Sequence, residues 1–176
     1  MPSPSRIRRG CPEGDKTPLA DCNPKPIAFF DRDGVLNVDK GYVHSLQEFV
    51  WIEGALDALH RFKREGWWVV VVTNQSGIER GFYTEEEMLE LSEWLMDQAP
   101  IDLLLYCPHL NDCPARKPGS AMIESAFAIL PGIREKSFLV GDKETDLHAA
   151  KAGGVRGLFF DEGMGNLDQY LTRSLG

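Results

Sequence analysis

Asp31-Arg32-Asp33-Gly34 sets two carboxylates two residues apart, directly after the apolar run Ile27-Ala28-Phe29-Phe30. Such a pair can divide a reaction between them. One carboxylate can attack phosphorus as a nucleophile, provided a cation screens the repulsion between two anions. The other can protonate the leaving oxygen and then deprotonate the water that hydrolyses the intermediate. Taken alone, the stretch also reads as an ordinary polar turn, because Asp and Gly favour turns. Three further clusters support the chemical reading. Thr73, Asn74 and Gln75 offer a hydroxyl, amides and backbone N–H groups suited to phosphate oxygens. Lys117 is the point charge needed to offset a transferring phosphoryl group. Asp142 and Asp146 form a second acidic cluster, able to complete an octahedral Mg2+ site with Asp31. They would equally charge the first turn of a helix, and both readings can hold at once.

The segment CPHLNDCPARKP, residues 107–118, adds a different donor set. Cys107, His109 and Cys113 are three candidate zinc ligands. Structural zinc is almost always four-coordinate, so a fourth donor would be water or a residue from elsewhere. Asp112 is close in sequence, and Cys11 and Cys22 are available nearer the N-terminus. The alternative is that all four cysteines are unligated and the loop is held by its own packing. Arg116 can take a phosphate bidentately, and Lys117 follows it. On this reading the loop delivers two positive charges, and a zinc ion would stiffen it.

These residues need a frame that brings them to one edge. Ile27–Phe30 reads as a buried strand ending at Asp31. Residues 54–65 carry Ala55, Leu56, Leu59 and Phe62 at helical spacing, and Gly66 stops the helix. Residues 67–72 (WWVVVV) are apolar on both faces, as a central parallel strand should be, with a polar turn over 73–77. Thr84 caps a helix, with Glu87 completing a capping box and Met88, Leu91 and Leu95 on its apolar face. A third strand over 101–106 leads into the cysteine loop, and 119–130 is helical. A fourth strand over 137–140 ends at Gly141-Asp142. A helix over 143–152 stops at Gly153-Gly154, a fifth strand follows over 155–160, and a short helix closes the tail. Alternating strands and helices predict an α/β fold, Rossmann-like, with a parallel sheet covered on both faces. Ligands of such sheets sit outside the carboxyl ends of the strands, where every cluster above falls.

The 176 residues suit one core: an irregular N-terminal arm over 1–25 and a single domain over 26–176. Net charge is −8, from 27 acidic and 19 basic residues, which argues against a nucleic-acid binder. No apolar run reaches 18 residues and the N-terminus lacks the apolar core of a signal peptide, so no membrane association is expected. Four cysteines in a chain of this length suit a reducing compartment, and a cytoplasmic monomer is expected.

The order DRDGVL, TN, a lysine and GDKETD resembles the haloacid dehalogenase (HAD) phosphatase superfamily, over about residues 26–160. The resemblance implies Asp31 as nucleophile through an aspartyl-phosphate, Asp33 as acid/base, and Thr73 and Lys117 as phosphate binders. It also implies Mg2+ held by Asp31, Asp142 and the backbone carbonyl of Asp33. AFFDRDGVLN, GYVH, TNQSGIERGFYTEEE, CPH and RKPG further resemble the heptose-bisphosphate phosphatases. That branch implies removal of the 7-phosphate of D-glycero-D-manno-heptose 1,7-bisphosphate, a small phosphorylated sugar. The related histidinol-phosphate phosphatases share DRDG, TNQSG and RKP, and Gly41-Tyr42-Val43-His44 favours the heptose branch. A non-catalytic phospho-acceptor module is a third reading, which Asp33 argues against. Both branches lack a large cap domain, so loops must choose the substrate. Tyr42, His44, Asn74, Gln75, Ser76, Arg80 and Arg116 are the candidates for the sugar and the distal phosphate. In the resembling loop a cysteine stands just before the Arg-Lys pair, where this chain has Ala115.

Overall fold

Ile27–Phe30 (β2) has every side chain buried because it runs through the middle of a six-stranded sheet. The computed structural model describes residues 5–176. The other strands are β1 (Ile7–Arg9), β3 (Trp68–Asn74), β4 (Leu103–Cys107), β5 (Phe138–Gly141) and β6 (Arg156–Phe159). Their spatial order is β1-β4-β3-β2-β5-β6, and every pairing is parallel. From β2 the chain winds outward through β3 and β4. It then returns to the other side of β2 to form β5 and β6. The winding therefore reverses between β2 and β5, and a crevice opens at their carboxyl ends.

Alternation along the strands sends side chains to two cores. Ala28, Phe30, Val69, Val71 and Leu104 face α1 (Ala55–Arg64), α2 (Glu85–Gln98) and α5 (Leu167–Leu175). Phe29, Val70, Val72 and Leu105 face α3 (Ala121–Ile129) and α4 (Glu144–Ala152). Each of the buried Val, Leu and Phe side chains among them contributes about 1.5–3 kcal/mol relative to exposure, which fixes the strand ends and so the site. Thr84 caps α2 with the expected box, its side chain accepting from the Glu87 N–H while Glu87 accepts from the Thr84 N–H.

Two sequence expectations are corrected. Thr73 and Asn74 belong to β3 rather than to the turn beyond it. The arm is not irregular over Ile7–Arg9, which forms the edge strand β1 in register with Leu104–Tyr106. Its sequence, Ile-Arg-Arg, has too little apolar character to announce a strand. Pairing is possible because Arg8 is buried and ties the segment together, donating to the carbonyls of Ser5, Asp15 and Thr17. No helix among the described residues is long and apolar enough to cross a membrane.

Candidate active site

The strand ends of β2, β3 and β5 bring the predicted acidic and basic groups together. Asp31 directly follows β2, and its N–H continues the ladder to the Val140 carbonyl at 3.0 Å. Lys117 is buried and its Nζ lies 2.8 Å from Asp31 Oδ1, 2.6 Å from Asp146 Oδ1 and 3.0 Å from the Val72 carbonyl. Asn74 holds that lysine in place from both sides. Its Oδ1 accepts the Lys117 N–H at 3.0 Å and its Nδ2 donates to the Lys117 carbonyl at 3.1 Å. The Asn74 amide is thus engaged with backbone rather than free for a ligand. Asp146 stands in the first turn of α4, as one of its two expected roles requires, and also pairs with Lys117. Oδ1 meets Lys117, and Oδ2 accepts the Lys143 N–H at the start of α4.

Asp33 occupies a separate, polar setting. It accepts from Arg32 Nη2 at 3.0 Å, Asn37 Nδ2 at 3.0 Å and Gln75 Nε2 at 3.3 Å. Burial works against its ionisation, but the Arg32 guanidinium and these hydrogen bonds outweigh it and hold the carboxyl below its ordinary range. Gln75 is itself fixed, donating to Thr73 Oγ1 at 2.8 Å and accepting from Tyr83 Oη at 2.5 Å. Asp31 behaves oppositely. Burial raises its pKa; Lys117 lowers it, but Asp146 and Asp142 add to the rise, which carries it to about 8. The surroundings of the two carboxyls in one DxD pair thus push their proton affinities in opposite directions.

That contrast bears on a cation. Three carboxylates, Asp31, Asp142 and Asp146, place ligand oxygens within 4.8 Å of one another, with Lys117 the ammonium that pairs with two of them. Asp142 Oδ1 is buried without a hydrogen-bond partner. Gly34, at φ +88°, lies so close that a Cβ there would run into the Asp142 carboxylate. An under-neutralised group of hard oxygen donors with one uncommitted buried oxygen fits Mg2+.

A cavity of about 410 Å3 opens beside Asp33 and Lys117. Of the residues expected to contact substrate, Tyr42, Asn74, Gln75, Ser76, Arg80 and Arg116 line it. Thr73 is buried beneath Gln75, with its hydroxyl accepting from it. His44 is set back from the cavity, stacked on Tyr83 with centroids 4.9 Å apart. Lys143 and Asp39 also line the cavity, 3.5 Å apart, and sequence reasoning missed both. Lys143 could have been found from its place immediately after Gly141-Asp142 at a strand end. Tyr83, which orients Gln75, carried no such signal.

The cysteine loop lies at the same edge, beyond β4. The compact group there is Cys11, His109 and Cys113, with ligand atoms within 4.8 Å of one another. Cys107 is buried behind it, close enough to Cys113 for each thiol to influence the other's titration. Cys22 is exposed, its thiol directed to the Asn23 carbonyl, and Asp112 is not part of the group. Sulfur and imidazole donors fit zinc rather than magnesium.

A family model described as polynucleotide kinase 3 phosphatase matches residues 26–153. The D-glycero-beta-D-manno-heptose-1,7-bisphosphate 7-phosphatase of Pasteurella multocida is 41% identical over 145 residues, covering 75% of this chain and 79% of that protein. The protein of the same name from Haemophilus influenzae is 42% identical over 141 residues, covering 73% and 77%. Among solved structures, the D,D-heptose 1,7-bisphosphate phosphatase from B. bronchiseptica, complexed with magnesium and phosphate, superposes with a TM-score of 0.69. It is 27% identical, over 85% of this chain and 86% of that one.

Proposed function

Because this chain belongs to the polynucleotide kinase 3 phosphatase family of HAD phosphatases, we propose that it is a Mg2+-dependent phosphoric monoester hydrolase that removes the 7-phosphate of D-glycero-D-manno-heptose 1,7-bisphosphate. The family's descriptive name refers to polynucleotide ends. The relatives at 41–42% identity are named for the sugar bisphosphate, and the net charge of −8 suits the sugar better than DNA.

The observation that carries this reading is the buried Lys117–Asp31 pair, beside a second carboxylate in a different protonation environment. Asp31 Oδ attacks phosphorus, and the bond from phosphorus to the sugar oxygen breaks. Lys117 remains beside Asp31 and offsets the charge on the transferring group. Asp33 is held ionised in the free protein. An arriving phosphate dianion raises its proton affinity, so that it carries a proton to the leaving oxygen. Asp33 then takes a proton from the water that attacks phosphorus, and Asp31 is released as a carboxylate. Mg2+, held by Asp31, Asp142 and the backbone carbonyl of Asp33, would screen the charge between nucleophile and phosphate. Arg32, Asn37 and Gln75 keep Asp33 oriented, and Asn74 keeps Lys117 in place. Arg116 and Arg80 face the same cavity and are available to the distal phosphate, with Tyr42 beside the sugar. The cysteine loop would carry a structural zinc on Cys107, His109 and Cys113 with one further donor.

The test is phosphate release with Mg2+ from heptose 1,7-bisphosphate and from histidinol phosphate, side by side. At least about tenfold higher kcat/KM for the bisphosphate, lost in EDTA, is expected, equivalent to ~1.4 kcal/mol of discrimination. Preference for histidinol phosphate would keep the chemistry and overturn the substrate.

A further inference from the structure

We propose that Cys11, from the N-terminal segment, is the missing ligand of the loop's zinc, and that the metal thereby fastens that segment to the loop carrying Arg116 and Lys117. This rests on the reading of the loop as a zinc site and adds a ligand that the loop does not contain.

Register delivers Cys11 to the site. Arg9 pairs with Tyr106 across β1 and β4, and the Gly10 N–H donates to the Tyr106 carbonyl at 2.9 Å, so the segment is still held against β4 one residue before Cys11. Cys11 therefore leaves the sheet next to Cys107, the last residue of β4. Cys11 then begins a turn closed by Gly14 N–H to Cys11 carbonyl at 2.8 Å. Lys16 Nζ reinforces the turn by donating to the carbonyls of Cys11, Pro12 and Gly14. Cys113 begins a matching turn, closed by Arg116 N–H to Cys113 carbonyl at 3.0 Å.

The sulfur spacing favours a shared ion. Cys11 Sγ and Cys113 Sγ are 3.4 Å apart. A disulfide requires about 2.05 Å. Two thiolates on one tetrahedral zinc, each about 2.3 Å from it, stand roughly 3.8 Å apart. His109 completes the compact group, and Cys107 lies beside Cys113. Cys11 is 1% exposed, whereas Cys22, the other cysteine of the segment, faces solvent. Ala115 is buried against this cluster and provides no donor, so closure has to come from outside the loop. The link to the phosphate site is direct, because Arg116 Nη1 donates to the His109 carbonyl at 3.3 Å.

The experiment uses the full chain and reads zinc content, the thiolate-to-cobalt charge-transfer absorbance of the Co2+-substituted protein, and trypsin cleavage after Lys16, which precedes Thr17. Wild type should hold one zinc per chain and show three-thiolate cobalt absorbance. Chelation should expose Lys16 to trypsin. Cys11→Ser should lose zinc to a competing chelator, lower the cobalt absorbance by about one third, since one of three thiolates is gone, and be cleaved without chelation. Cys22→Ser should match wild type. Should Cys11→Ser fail to fold, Cys11→His restores a fourth donor and should retain zinc with the same one-third loss of absorbance. Cobalt absorbance unchanged in the Cys11 variants, with zinc retained, overturns the role of Cys11 and leaves the loop site standing. A wild-type chain without zinc overturns the loop site itself.

Discussion

The acidic cluster and the sulfur cluster stand at one edge of one sheet, yet they are built in opposite ways. Asp31, Asp146 and Lys117 are charged groups carried into near-complete burial with the half-buried Asp142 beside them, and negative charge outnumbers positive among the four. Cys11, Cys107 and Cys113 are weakly polar thiols packed in an apolar shell, with His109 beside them. The first arrangement is costly without a cation; a bound Mg2+ would relieve its repulsion and screen an arriving phosphate from it. The second costs little when empty and gains only rigidity from its ion. Hard oxygen donors thus stand where the charge changes during reaction, and soft donors stand where the loop must stay still.

The largest effect that would test this contrast comes from Asp31→Asn. It retains the shape of the side chain and removes the nucleophile. Turnover should fall at least about 10^4-fold, with the circular dichroism spectrum and the cobalt absorbance of the loop unchanged. A variant that kept substantial turnover would move the nucleophile elsewhere. Lys117→Met is the sharper probe, because it acts on both chemistry and stability. Loss of its charge beside the transferring group should lower kcat about 10^2- to 10^3-fold. It also strips a buried cation from two carboxylates, which should cost about 3 kcal/mol in metal-free protein by denaturant titration. Saturating Mg2+ should recover part of that loss by binding only the folded state. Equal stability with and without Lys117 would mean that the carboxylates are neutral and the cluster is not poised for a cation.

The two regions also differ in how far they could be read from sequence. The acidic site is local to strand ends. Asp31, Thr73 and Asp142 each stand at or directly beyond the end of an apolar run, so the α/β frame alone predicts their convergence. The uses of Asn74 and Gln75 were less legible, because an amide near phosphate chemistry can equally bind substrate or brace a neighbour. Here one braces Lys117 and the other braces Asp33. The sulfur site depends on a pairing that the sequence does not announce. Nothing in Ile7-Arg8-Arg9 marks a strand, and its pairing with β4 is what separates Cys11 from Cys22 as a neighbour of the loop. Lys143 was overlooked because a lysine at a helix start has no periodic signature, while the cavity shows it beside Asp39.

The most direct test of the central claim is the stereochemical course at phosphorus, measured with a thiophosphoryl analogue of the substrate whose phosphorus carries sulfur and two different oxygen isotopes, hydrolysed in water of the third isotope so that the inorganic thiophosphate released is chiral. Each in-line displacement inverts the centre. Attack by Asp31 followed by attack of water should give net retention, and that is the expected result. Net inversion would mean a single displacement by water, and would contradict the role assigned here to the Asp31–Lys117 pair.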